Sequence, residues 1–580
     1  MTIGSWLLIA RSSRTAAPAG EPVGGEPHTA TAGTSRREIR GEGPGAPQAA
    51  LRYIGFSVGA ALLVMVGLMV ASHGFLETTG GLPGTAGSGS AGTGIALPEL
   101  FGADGYVVLP IVGAGVEGAA AGAGVADAGA AGAQAVGPSA PTGLGSWGGG
   151  LAPGVRIAVF VLLGLGFLVK MGAMGLHIWL PDSYAEAEDE ASAFLSSSLS
   201  KAGILGVIVL FAMVGAPLAG GAAGAGEATG TGVSLALILG WIGALTALFG
   251  ALVAVFQEDV KKLLAYSSLS QVGYMVLGIA IASHLGWLAG VYNAVNHFVF
   301  KGLLFLGMTG VIMRTGTRYM YQMGGLIKRM PLTFISVLMA IIALSGVPPL
   351  SGFGGKWLLY GALTESGWYL QTGVAFFAST IAFLYLFRMI YTVFLGQLKD
   401  DLREVREAPV SVLVPQLILM AVLMLVSMYP NVMINPLIAG IEPFLASTVE
   451  WQDYTVITSL GYWNGNTVMW VTMGVFIVPL VWIVIVMRRP QKIKQFNIVY
   501  AAERPERPET THFAHNFFAP YRKALGFLAA PVIRRAWEYA LDGVGAVAGA
   551  MRQLYTGNGQ TYALHILLLT VVLYFIAGGM

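Results

Sequence analysis

"VYNAVNHFVFKGLLFLGMTGVIM", residues 291–313, is apolar over a length that would cross a bilayer, yet it carries His297 and, four residues on, Lys301. A spanning helix needs about 20 apolar residues, and an ionised side chain near its middle costs roughly 2.5–3.5 kcal/mol on insertion scales. Asn293, His297 and Lys301 recur every four residues and so share one face of a helix. Lys301 lies too far inside the stretch to reach the interface by snorkelling, which favours a polar seam facing protein or water. His297 alone is also compatible with a hydrogen-bonded core histidine.

The pattern recurs at Lys170 in "GLGFLVKMGAMGLHIWLPD", Lys201 in "SSSLSKAGILGVIVL" and Lys356 in "SGVPPLSGFGGKWLL". Lys170 and Lys201 lie nearer helix ends, where snorkelling is the competing explanation. Lys356 follows two prolines and four glycines in "SGVPPLSGFGGK", and the glycines after Lys170 weaken that helix too. Broken backbone at membrane depth is tolerated where it lines a cavity or packs in protein.

The whole chain fits this setting. Its 580 residues are 55% hydrophobic and 11% charged, with mean hydropathy +0.69, which marks a polytopic membrane protein. A net charge of +2 without a basic block argues against nucleic-acid binding. With no cysteine, the chain offers no disulfide, cysteine-ligated iron–sulfur cluster or Cys-type zinc site. His512 and His515 in "THFAHNFF" have i, i+3 spacing but lack further ligands, so no metal site is assigned.

Apolar runs place eleven spans near 53–74, 155–176, 197–216, 233–256, 263–283, 286–313, 331–362, 371–395, 409–428, 468–487 and 561–579. Lys and Arg occur in 11–52, 257–262, 314–329, 396–408 and 488–560, and not in the alternate connections 75–154, 217–232, 284–285, 363–370 and 429–467. The positive-inside rule therefore puts 1–52, a partial helix and basic loop, on the cytoplasmic side of an inner membrane. The connection 177–196 should share that side although it is acidic. Residues 75–154 form a Gly/Ala-rich insertion expected to be exocytoplasmic and disordered, 155–487 the membrane core, 488–560 an amphipathic segment broken near Pro531, and 561–580 a C-terminal anchor.

"LHIWLPDSYAEA", "QEDVKKLLAYSSLSQVGYMVLG", "NHFVFKGLLFL" and "MGGLIKRMPLTF…ALSGVPPLSGFGGKW" resemble, in order, signature segments of the antiporter-like membrane subunits shared by complex I, Mrp-type sodium/proton antiporters and membrane-bound hydrogenases. The resemblance covers about residues 155–400 and implies an all-α transmembrane bundle of inverted-repeat type with discontinuous helices. It also implies a proton path through Lys170, Lys201, His297, Lys301 and Lys356, with Asn293 on the same face. Lys261 and Lys262 match a cytoplasmic-side motif, or are ordinary loop charges under the positive-inside rule.

The chain departs from the family at "EDEAS", where a Pro-Thr-Pro-type helix start is usual. In addition, Met1–Ser5 resemble the residues just after the family's essential glutamate. The expectation is an N-terminally truncated form that cannot pump alone. The resemblance implies a proton-translocating subunit, without a redox centre of its own, of a complex I-like NADH:quinone oxidoreductase or related hydrogenase. Flavin and iron–sulfur clusters would sit in peripheral partner subunits, beside other membrane subunits. The alternatives are an Mrp-type cation/proton antiporter subunit, moving protons and Na+, and a structural membrane scaffold with an incomplete path.

Overall fold

The computed structural model describes residues 52, 57–68, 153–214, 235–395, 398–442, most of 444–486, 523–524, 532–553 and 559–576. Nearly all of the Gly/Ala-rich insertion, the N-terminal partial helix, His512 and His515 lie outside them. Residues 1–522 and 523–580 form two compact units.

The first unit begins with α1 (Ser57–Leu68), α2 (Pro153–Met171), α3 (Trp179–Glu186) and α4 (Asp189–Phe194). A π turn, Leu195–Leu199, leads into α5 (Lys201–Val214), followed by α6 (Leu235–Val255), α7 (Val260–Ala280) and α8 (His284–Thr315). Then come α9 (Pro331–Ser345), α10 (Ser351–Glu365), α11 (Tyr369–Ile390), α12 (Val410–Met428) and α13 (Asn431–Ile441). A small antiparallel sheet of β1 (Glu450–Gln452), β2 (Thr455–Thr458) and β3 (Gly461–Asn464) precedes α14 (Gly465–Val486).

Among the described residues, seven helices are long and apolar enough to cross a membrane, the run from α4 into α5 counting as one. The other expected spans fall on α1, on α9 with α10, on α14 and, in the second unit, on α16. That unit holds α15 (Val532–Gln553), which begins just after Pro531 and is amphipathic, and the apolar α16 (Gly559–Ile576).

Local chemistry sets the helix ends. Asp259 caps α7, its side chain accepting from the Lys261 and Lys262 amides, and Ser283 caps α8 in the same way through Gly286. Gly316 and Gly346 close α8 and α9 in the left-handed conformation. At the centre, α7 packs against α6 and α8 and is buried along nearly its whole length. Small residues permit the approach to α6: a Cβ on Gly273 would lie 2.3 Å from the Ala247 amide nitrogen.

Three connections differ from the sequence reading. The acidic stretch 177–196 is mostly helical, because its carboxylates meet cations from other segments. Arg52 pairs with Asp182 at 2.7 Å, Lys261 with Asp189 at 2.8 Å, and Arg318 with Glu186 at 3.0 Å and Asp259 at 2.9 Å. Those cations come from three basic connections assigned to one side, so the acidic connection lies on that side with them. The expected span 331–362 is two helices, since Gly346 ends α9 and the Pro-Pro pair offers no amide donors to continue it. The supposed loop 429–467 contains α13 and the sheet, whose Trp463 seats on Gly354 of α10, where a Cβ would meet its ring at 2.2 Å.

Candidate proton-path site

Lys170 is the penultimate residue of α2. The helix stops after Met171 because Gly172 and Gly175 take φ of +77° and +90°, and Trp179 Nε1 donates back to the Val169 carbonyl at 3.0 Å. The lysine therefore stands where a helix breaks, with the chain folding back over the broken end.

Lys201 follows the π turn. Its Nζ donates to the Ser196 carbonyl at 2.7 Å and to Ser200 Oγ at 3.2 Å, and the Ser196 hydroxyl reaches Ser268 of α7 at 2.8 Å. A π turn shifts the hydrogen-bond ladder by one residue, and such turns recur at functional positions. Here the Ser196 carbonyl receives the lysine.

The seam on α8 is as the four-residue spacing requires. Asn293 Nδ2 donates to the Gly355 carbonyl at 3.1 Å. His297 and Lys301 are fully buried. Lys301 Nζ donates to the Leu264 carbonyl at 2.9 Å and to Ser267 Oγ. Neither ring nitrogen of His297 has a hydrogen-bond partner among the described residues, and its ring packs edge-on to Phe300 with centroids 5.4 Å apart. Lys201 and Lys301 are its charged neighbours. The structure thus gathers Lys201, His297 and Lys301 into one electrostatically connected group.

Lys356 lies on the second turn of α10 and reaches back to the break between α9 and α10. Its Nζ donates to the Ser345 carbonyl at 2.6 Å and to Ser379 Oγ of α11 at 2.7 Å, and lies 5.4 Å from the centre of the Tyr274 ring. The carbonyl end of α9 is partially negative and favours a cation there. Asn293 packs against Gly355, the residue before Lys356 on α10, where a Cβ would meet the asparagine amide.

Lys261 is placed elsewhere. It is buried, and its Nζ donates to the Ala187 carbonyl at 2.6 Å and to Asp189 at 2.8 Å, tying the start of α7 to the start of α4. That is a clamp between elements. Lys262 sits beside it within reach of Asp259. At this corner burial pushes the Asp259 carboxyl up, against the opposing pull of Arg318 and Lys262.

Sequence reasoning missed a set of hydroxyls, buried except for the half-buried Ser379. Ser267, Ser270 and Tyr274 line α7, Tyr360 lies on α10, and Ser379 and Tyr385 lie on α11. Their only sequence signal is the three-to-four-residue spacing in "AYSSLSQVGYM", which reads as ordinary helix packing.

Residues 150–382 match the family described as "NADH:quinone oxidoreductase/Mrp antiporter, TM". Hydrogenase-4 component B of Escherichia coli strain K12 is 37% identical over 37% of this chain and 32% of its own length. An Na(+)/H(+) antiporter subunit from Alkalihalophilus pseudofirmus is 30% identical over 55% of this chain and 41% of its own length. The chain spans less than half the length of either relative, 32% and 41%. A chain in the structure of the membrane-bound sulfane sulfur reductase, an archaeal respiratory membrane complex, shares the fold with a TM-score of 0.69 at 23% identity, covering 99% of this chain and 78% of that one. With the apolar helices, these likenesses identify a multi-pass membrane protein.

Proposed function

We propose that this chain, whose residues 150–382 match the NADH:quinone oxidoreductase/Mrp antiporter transmembrane family, is a proton-translocating, non-redox membrane subunit of a complex I-like oxidoreductase or a related membrane-bound hydrogenase. One observation carries the reading: Lys301 is fully buried in the middle of a 32-residue apolar helix and is matched only by a carbonyl and a hydroxyl, with no carboxylate among the described residues bonded to it. Burying such a group is costly, and a titratable residue at membrane depth marks an ion route.

Lys201, His297 and Lys301 exchange the proton, Lys170 acts as the switch at the end of α2, and Lys356 exchanges with an aqueous side through the break. Two positive charges about 7 Å apart at an effective dielectric of about 20 repel by roughly 2.4 kcal/mol, enough for protonation of one site to expel a proton from the next. The subunit works in the cytoplasmic (inner) membrane among other membrane subunits. Peripheral partners supply flavin and iron–sulfur chemistry.

The relationship to an antiporter component supports a second reading, cation/proton exchange without a redox partner. Mild purification of the native complex, identification of its subunits and reconstitution into sealed vesicles separates the two. Redox-driven proton uptake with co-purifying flavin or iron–sulfur subunits is expected. Sodium-dependent exchange without redox subunits would establish the antiporter reading, and a complex that moves no protons would leave only a scaffold.

A further inference from the structure

Lys301 and Lys356 sit at opposite ends of a hydroxyl cluster between α7, α10 and α11 that is buried except at the half-buried Ser379. At one end Lys301 donates to Ser267, and at the other Lys356 donates to Ser379 at 2.7 Å. On α7, Ser267 and Tyr274 are seven residues, or about 10 Å, apart along the axis. Tyr385 interacts with Ser267, and Tyr274 interacts with Ser379 and Ser270 and has Tyr360 and Tyr385 as electrostatic neighbours. Tyr360 faces Ser379 as well. These side chains lie in sequence from the first lysine to the second, with Ser267 Oγ also donating to the Leu264 carbonyl at 2.8 Å and the Tyr274 hydroxyl to the Ala375 carbonyl at 3.1 Å, so each of the two must turn away from a backbone carbonyl to pass a proton along.

The cluster's hydrogen bonding is incomplete. The hydroxyls of Tyr385, Tyr360 and Ser270 are buried and form no hydrogen bond of ordinary geometry, although serine or tyrosine hydroxyls stand beside them. A buried hydroxyl left unbonded costs about 1–3 kcal/mol, so three in one cluster are a poor stability device. A hydroxyl that is free to turn can accept a proton on one side and release its own on the other.

We infer that the hydroxyls of Ser267, Tyr385, Tyr274 and Ser379 carry the proton between Lys301 and Lys356. The Lys301 ammonium gives a proton to Ser267 Oγ, whose own proton passes to Tyr385. Each hydroxyl in turn hands on the proton that it held, and the neutral amine of Lys356 takes up the last one from Ser379. Lys301 ends neutral, Lys356 ends charged, and every hydroxyl is restored. This inference rests on the proton-translocating reading above and adds the link between its two lysines.

The test is Tyr385→Phe, with Tyr274→Phe and the double variant, in the native complex reconstituted into sealed vesicles. Removing the unbonded Tyr385 oxygen should leave assembly and melting temperature at or above wild type, as the polar group that it deletes has no bond to lose. Proton uptake should nevertheless fall at least about tenfold. The double variant should be no slower than the slower single, because the two hydroxyls act in series. Wild-type transport by Tyr385→Phe, in a complex whose Lys301→Met variant is inactive, would overturn the relay and leave the proton reading standing. A wild-type complex that moves no protons would overturn both.

Discussion

Lys356 closes the helix that breaks eleven residues before it, its Nζ 2.6 Å from the carbonyl of Ser345, the last residue of α9. The contact needs Gly346, whose φ of +72° ends α9 and whose missing side chain leaves room for the lysine. A Cβ there would lie 2.4 Å from Lys356 Cδ. The break and the charge are therefore one unit, in which the cation satisfies a helix end that the backbone has left open.

Gly346→Ala should displace the lysine as well as strain the turn. Gly316 has a similar φ of +70° but open space around its Cβ direction, so Gly316→Ala carries only the conformational cost of about 1–2 kcal/mol. Thermal melting of the purified complex should show Gly346→Ala the more destabilised, and vesicle assays should show its proton uptake lost. Equal melting of the two variants would separate the glycine from the lysine.

Lys261 and Lys301 should fail in opposite ways. Lys261→Ala removes the clamp onto Ala187 and Asp189 and leaves the Ala187 carbonyl without this donor, so assembled complex should decrease. Transport per assembled complex should stay near wild type. Native gel quantitation beside vesicle assays reads both quantities.

His297→Leu deletes two ring nitrogens that make no hydrogen bond among the described residues. Assembly should be unaffected, since an unsatisfied polar group is replaced by an apolar one of similar size. Proton uptake should fall, because the titratable ring that neighbours both Lys201 and Lys301 is gone. Unchanged uptake would reduce His297 to packing.

Arg318→Ala should destabilise the fold by at least about 2 kcal/mol at neutral pH, because it strands the buried Asp259 carboxylate. Burial already pushes that carboxyl up, with Arg318 opposing. The native state therefore holds the proton more tightly than the unfolded chain, and Asp259 favours the fold at low pH, a contribution lost as pH rises through its folded value. Without Arg318 that value rises further. The melting-temperature deficit of Arg318→Ala should thus be larger at about pH 7.5 than at about pH 5.

The positions of the lysines within apolar helices were legible because a charge in an apolar run is rare and costly, and so was the break before Lys356, because prolines and clustered glycines announce it. The acidic connection 177–196 was less legible, since its partners Arg52, Lys261 and Arg318 come from sequence-distant segments. The π turn before Lys201 has no compositional mark in "LSSSL". Ser267, Tyr274, Ser379 and Tyr385 were invisible for a different reason: hydroxyls are common in helices, and only their convergence in space distinguishes them. The sheet that brings Trp463 onto Gly354 is built from strands of three or four residues, too short for alternation to show.

The most direct measurement is proton uptake by the assembled native complex carrying Lys301→Met, which keeps an unbranched side chain one heavy atom shorter and removes its charge. Wild-type assembly, intact partner chemistry and no coupled proton uptake are the predicted result. Wild-type uptake in that variant would contradict the proton path and remove the buried lysine row from the transport route.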